Sequence, residues 1–469
     1  MKKVIHSQIF ISLLAFFFIV MFSCKKKDTT PPPVPSSEKV ILSFNFNAAD
    51  NAGILFANVT GSIGADTIKL IVLAETGITN LKPAITFNGK SISPLSGVAR
   101  NFSSPVTYTV TAENGSTKTY VIDVKYKNTV FISSLNGTMY ALDGNTGAEI
   151  WKLANGQFHS GSPAVKNGSV YICGLDGLYS LDARTGLQNW KFPVSTVFPL
   201  TFLPGPVTDN NTVYFDGWDG FVYAINSSNG TLKWKTQSTG LKAFSSNVTL
   251  NNNLLYTGCL DSSLYALSVS TGAISWKFKT GDAIYQNPLV VNGNVFTTGL
   301  NGNQYLLNGT TGTIIWSIPG DFNVSSPTYA NGLIYTGGGV RAFGYDIATG
   351  TRLWLMNNSP VFYTERSSPV ILNGKFYAGS NNGNVYGYTI SNSVQIWSIT
   401  TDNGSYVYSS PVIADGILYI GDAANTIYAI NADAGTIKWK KQSASAIASA
   451  CVIDQQGIKH YPGISGEQN

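Results

Sequence analysis

Three acidic residues, Asp176, Asp219 and Asp261, recur at one place in successive stretches of this chain, each just ahead of a tyrosine. Carboxylates at a repeated position could hold a divalent cation or act as a general base. Aspartate beside Gly or Ser also makes turns, because its side chain bonds its own backbone two residues on. The sequence favours the turn. Its three histidines, His6, His159 and His460, are too scattered to form a metal dyad or an acid–base pair. The four cysteines, Cys24, Cys173, Cys259 and Cys451, make neither a disulfide framework nor a CxxC clip. Cys173, Cys259 and Cys451 read as small buried residues.

A second set of residues could bind rather than react. Ser-Pro-x-Val segments such as Ser162-Pro-Ala-Val start short strands. Three residues ahead of that proline position the chain carries Ser160, Leu203, Phe244, Tyr285, Val324, Arg366, Tyr408 and Ala448. Gln286, Phe322, Tyr363, Glu365 and Tyr406 stand nearby. Exposed rings with a few polar partners suit glycan, peptide or protein recognition. The binding candidates are therefore Phe244, Tyr285, Tyr363, Glu365, Arg366 and Tyr408. Arg366 offers five donors in a rigid fork. The plainer reading is that Phe244 and Phe322 plug a channel and that Arg366 pairs with Glu365.

The elements that must position these residues repeat. Tryptophan recurs at 151, 190, 234, 276, 316, 354, 397 and 439, with spacings of 39, 44, 42, 40, 38, 43 and 42 residues. A period near forty with four short strands predicts the blades of a β-propeller. Eight blades are expected, with seven as the alternative count. An Asn or Asp followed by Thr-Gly makes the turn into each outer strand. Gly147, Gly186, Gly230, Gly272, Gly312, Gly350 and Gly435 fill its last place, while Ser393 in the seventh unit predicts a looser corner. Trp218 lies off the register. The first unit starts at Thr129 without a Ser-Pro-x-Val strand, and Ser449-Ala-Cys-Val-Ile near the other end supplies one. Joining the two in one blade closes the ring and leaves no free edge.

The Asp/Asn-x-x-Thr-Gly-x-x-x-Trp motif resembles the pyrroloquinoline-quinone-type repeat over roughly residues 128 to 456. The resemblance implies a propeller and two functional expectations. One is a quinoprotein dehydrogenase of alcohols or sugars, which would need the quinone with Ca²⁺, an aspartate base and often a vicinal disulfide. No two cysteines here are adjacent and no CxxCH segment occurs. The long insertions of those enzymes are missing too, so no cofactor and no catalytic residue is expected. The other is a scaffold like the outer-membrane assembly lipoproteins.

Residues 38–127 differ. Val40-Ile-Leu-Ser-Phe-Asn-Phe, Thr67-Ile-Lys-Leu-Ile-Val-Leu and Lys118-Thr-Tyr-Val-Ile-Asp-Val have strand character, with Asn88-Gly89 and Asn114-Gly115 as turns. They predict a small β-sandwich that resembles the immunoglobulin-like modules of Gram-negative surface lipoproteins. Ahead of it, Lys2, Lys3 and the apolar run Ile9 to Phe22 read as a signal peptide over residues 1–23. Ser23-Cys24 resembles a lipobox with Cys24 as the lipidated residue. Residues 24–37 then form a Pro-rich linker reaching up to ~40 Å. Beyond the linker, 25 basic residues face 24 acidic ones, a net charge of +1. That balance argues against nucleic acid. The sequence thus predicts an all-β, monomeric, outer-membrane lipoprotein with a propeller at 128–469 that meets a protein or glycan.

Overall fold

The computed structural model describes residues 34–55, 58–73, 77–158, 161–194, 205–209, 211–320, 325–338, 341–356, 367–449 and 451–454. These residues are strands and turns apart from three single-turn 3₁₀ segments, and none of them is a helix long and apolar enough to cross a membrane.

Residues 40–127 form two facing sheets. The smaller holds Val59–Thr60, Val40–Phe46 and Ala84–Asn88. The larger has five strands, with Thr67–Leu73 lying parallel to Thr117–Lys127. Alternation along Thr117–Lys127 turns every second side chain inward, and in Val40–Phe46 a bulge after Ile41 moves the inward set to Phe44 and Phe46. Phe44, Phe46, Phe102, Tyr108 and Tyr120 fill the space between the sheets, with Phe44 edge-on to Tyr108 at 5.3 Å.

The remaining described residues build eight four-stranded antiparallel sheets. In the first blade the order from the channel outward is Val452–Asp454, Thr129–Ser133, Thr138–Asp143 and Glu149–Ala154. Val452 pairs with Phe131, so the two ends of the propeller share one blade, as the sequence predicts. Blades 2 to 8 follow in chain order, with innermost strands beginning at Ala164, Val207, Thr249, Leu289, Thr328, Val370 and Val412. Most inner hairpins turn on Asn-Gly with both residues at positive φ, for example Asn331 at 49° and Gly332 at 82°. That is the twist a two-residue hairpin needs.

The tryptophan register explains how blades adhere. Inside each blade the aromatic residue of the second strand packs on the blade's own tryptophan at 5.3–6.0 Å, from Phe131–Trp151 to Tyr419–Trp439. The indole then reaches the next blade and donates its N–H to a corner carbonyl there, as Trp276 does to Gly309 at 2.8 Å. The corner glycine lies flat on that indole. A Cβ on Gly312 would stand 2.6 Å from the Trp276 ring, and its φ of 70° already favours glycine. The expected loosening at blade 7 is not found. Ser393 takes φ 57°, Thr389 N–H still reaches the Val394 carbonyl at 2.9 Å, and Ser393 Oγ donates to the Leu355 carbonyl at 3.0 Å. The side-chain bond offsets part of the backbone strain.

Candidate partner-binding face

Each blade runs its strands up and down, so the propeller has two faces. One carries the inner hairpins and the Thr-Gly corners. The other gathers the loops that lead from the outermost strand of one blade to the innermost strand of the next, around the mouth of the channel.

A belt of hydrogen bonds organises that mouth. Gly205 N–H donates to Asn247 Oδ1 at 2.6 Å, Asn247 N–H to Asn287 Oδ1 at 2.9 Å, and Asn287 N–H to Ser326 Oγ at 3.2 Å. Ser326 N–H continues to Ser368 Oγ and Ser368 N–H to Ser410 Oγ, both at 2.9 Å. These residues immediately precede the Pro position. From blade 4 onward they are Asn or Ser, whose side-chain oxygen accepts the N–H of the preceding blade, and that recurrence is the readable signal of the belt.

The belt also fixes the register of the binding candidates. Asn247 occupies the place of Asn287 and Ser326, so Val248 stands at the Pro position and Ser245, not Phe244, is the equivalent of Tyr285. Phe244 is corrected accordingly. It is fully buried, edge-on to Tyr265 at 5.2 Å, and cannot meet a partner. A one-residue slip in an extended segment turns a side chain to the other face. Ile284, Val407 and Ile447 are its equivalents and are buried likewise.

Tyr285 and Tyr408 do lie on the mouth face. Tyr285 is 39% exposed, while its neighbour Gln286 turns inward and accepts from Thr298 Oγ1. Tyr408 is half-buried beside Tyr406, which is 53% exposed, their rings 5.6 Å apart. Tyr363, Glu365 and Arg366 lie outside the described residues, as do His159, Phe322 and Cys24.

Acids at the inner ends of the blades are of two kinds. Asp176 and Asp261 sit in hairpins, as expected. Asp176 accepts from Tyr179 at 2.7 Å and Lys191 at 2.6 Å, and Asp261 from Tyr265 at 2.6 Å and Lys277 at 2.7 Å. Burial opposes their ionisation, but those bonds outweigh it and hold both carboxyls below their ordinary range. Asp219 takes the Tyr223 hydroxyl in the same way. Asp216 is different. It is fully enclosed, takes one bond from Thr257 Oγ1 at 2.6 Å, and leaves Oδ1 without a partner. Burial pushes its pKa up to about 8.

The quinone expectation can be set against these groups. The acids of the hairpins are each engaged within their own blade. Cys173, Cys259 and Cys451 are buried in different blades as free thiols. Among the described residues no three His, Cys, Asp or Glu side chains converge as metal ligands would. The described residues therefore do not supply the acid–cysteine surroundings of a quinone with its cation.

The profile of the family described as "Outer membrane protein assembly factor BamB" matches residues 117–251 and 260–456, and that described as "SGBP, N-terminal" matches residues 41–124. Outer membrane protein assembly factor BamB of Yersinia pestis is 23% identical over 77% of this chain and 98% of its own length. Tetrathionate hydrolase of Acidithiobacillus ferrooxidans is 25% identical over 67% of this chain and 66% of its own length. The crystal structure of BamB from Moraxella catarrhalis superposes with a TM-score of 0.53 at 18% identity, covering 66% of this chain and 89% of that one, a likeness of fold. With its eight pyrroloquinoline-quinone-type repeats matched over most of the chain, the protein belongs to the outer membrane protein assembly factor BamB family.

Proposed function

We propose that this chain is an outer-membrane lipoprotein, anchored through Cys24, that recognises a protein or glycan with the mouth face of its propeller. The observation that carries the reading is how the sandwich meets the propeller. Only Asn128 separates the last sandwich strand from the first propeller strand, and it is buried. Its amide donates to Asp415 Oδ2 at 2.9 Å, its carbonyl accepts from Gly144 N–H at 2.8 Å, and Lys127 pairs with Asp143 at 2.7 Å. All of these contacts belong to the corner face. The sandwich therefore leaves from one side, and Tyr285, Tyr406 and Tyr408 point to the other. A chain with Tyr285, Tyr406 and Tyr408 all changed to Ala should melt like the parent yet lose the molecule that co-purifies with it from solubilised envelopes. Unchanged retention by the triple variant would contradict the reading.

The family favours a second reading, a scaffold in outer-membrane protein assembly. Under it the co-purifying molecule is a component of the β-barrel assembly apparatus; under the first it is a glycan or another surface protein.

A further inference from the structure

We propose that a cleft between blades 3 and 4, on the corner face, binds a neutral, hydroxyl-rich ring: one saccharide unit of a glycan. The cleft is open to solvent, has a volume of about 400 Å³, and lies within the usual size range of small-ligand sites. Asp209, Asn211, Thr212, Lys233, Trp234 and Ser270 line it.

The repeat itself does not require these residues. Where blade 3 has Asp209, blades 2 and 4 to 8 have Lys166, Asn251, Val291, Ala330, Leu372 and Ala414, and blade 1 has Asp454. Where it has Asn211, five blades have Gly168, Gly293, Gly332, Gly374 and Gly416. Blade 3 joins a carboxylate and an amide at one seam, whereas blade 4 has only the amide, at Asn253, and blade 1 repeats the carboxylate at Asp454. The repeat does not impose this combination, since five blades carry glycine at the second place.

The donors and acceptors are held in place with capacity to spare. Asp209 Oδ1 accepts the backbone N–H groups of Asn211 and Thr212, both at 2.7 Å, and Oδ2 accepts Tyr214 OH at 3.0 Å. Oδ2 can accept a second donor. Lys233 Nζ donates to the Asn211 carbonyl at 3.0 Å and Thr212 Oγ1 at 2.7 Å, which leaves it one further N–H. The Asn211 side chain is exposed and makes no bond among the described residues, and Ser270 adds a hydroxyl.

The charges of Asp209 and Lys233 cancel across the cleft, so neither an anion nor a cation is favoured. What fits is a molecule that both gives and takes hydrogen bonds. The half-buried Trp234 indole and Val269 supply an apolar wall for the C–H side of a pyranose. The indole N–H is already committed to the Val269 carbonyl at 2.9 Å, so the ring contributes surface rather than a donor. This site is on the face opposite the tyrosines and stands or falls apart from them.

The test is affinity electrophoresis of the full chain through gels containing neutral polysaccharides: an α-glucan, a β-glucan, a mannan, a xylan and a galactan. At least one should retard the chain, and high salt should not abolish the effect. Asp209→Asn keeps an oxygen for the hairpin N–H groups and should weaken binding several-fold. Asn211→Ala with Lys233→Met should weaken it roughly tenfold or more with no change in melting temperature. No retardation by any of the five would overturn the proposal. So would retention of binding in the double variant, or its loss only when Tyr406 and Tyr408 are changed, which would place the glycan at the mouth instead.

Discussion

The indole N–H of Trp439 donates to the carbonyl oxygen of Gly144 at 2.9 Å, joining residues 295 positions apart in the chain. The same bond links Trp151 to Ala183 and Trp397 to Ala432, each at 2.9 Å. The contact that closes the ring is thus chemically the same as the contacts that build it. Blade 8 meets blade 1 through Tyr419, Ile427 and Ile447 against Val130, Ile132 and Leu142, a seam as apolar as the others.

Removing a seam tryptophan should therefore be expensive wherever it is done. Trp276→Ala and Trp439→Ala should each cost roughly 3–5 kcal/mol, as large-to-small changes at packed aromatic sites do. Trp218 sits in a hairpin of blade 3, off the tryptophan register and half-buried, and Trp218→Ala should cost less. Thermal and denaturant unfolding of the three variants decides it, and equal losses would contradict the seam assignment.

Asp216 should leave its mark on the pH dependence of stability. Its folded-state pKa of about 8 lies above the ordinary 3.8, so folding favours the protonated form. Its contribution is fully present below pH 4 and is lost as pH rises through 8. Asp216→Asn removes the titration. The variant should gain on the parent by more than about 1 kcal/mol between pH 5 and pH 8. Parallel curves of melting temperature against pH would show that Asp216 is not enclosed as described.

Much of this fold was legible because a repeat states the same rule eight times. The Trp spacing gave the blades, and the unpaired Ser449-Ala-Cys-Val segment gave the closure. A small shift in one unit was not legible. Blade 4 has Asn247-Val248 where its neighbours have Gly-Pro and Asn-Pro, and without proline to mark the strand start Phe244 was placed one residue off. Contacts between units were equally hidden. Asn247 Oδ1, Thr257 and Asp216 acquire their roles from the adjacent blade, and a linear sequence does not display which surfaces face each other. The sandwich was readable as strands, yet the parallel pairing of Thr67–Leu73 with Thr117–Lys127 is long-range and left no local sign.

Anchoring is tested at Cys24. Cys24→Ala should abolish incorporation of labelled fatty acid and release the chain from the membrane fraction. Retention in that fraction after a salt wash, with labelling lost, would mean that something other than the lipid holds it there.

The catalytic alternative is tested by its cofactor. A ligand bound only by the folded state at a hundredfold excess over its Kd would add about 2.7 kcal/mol of stability. Pyrroloquinoline quinone with Ca²⁺ should give no such rise in melting temperature and no dye reduction with alcohols or sugars. A clear rise together with turnover would make the chain an oxidoreductase.

The central claim is that partners meet the mouth face, opposite the sandwich. Site-specific photocrosslinking in intact cells addresses it directly, with a photoreactive phenylalanine at Tyr285 or Tyr406 and, on the corner face, at the exposed Ala348. The account predicts a discrete adduct from both tyrosine positions and none from position 348. An adduct from position 348 with none from positions 285 and 406 would contradict it.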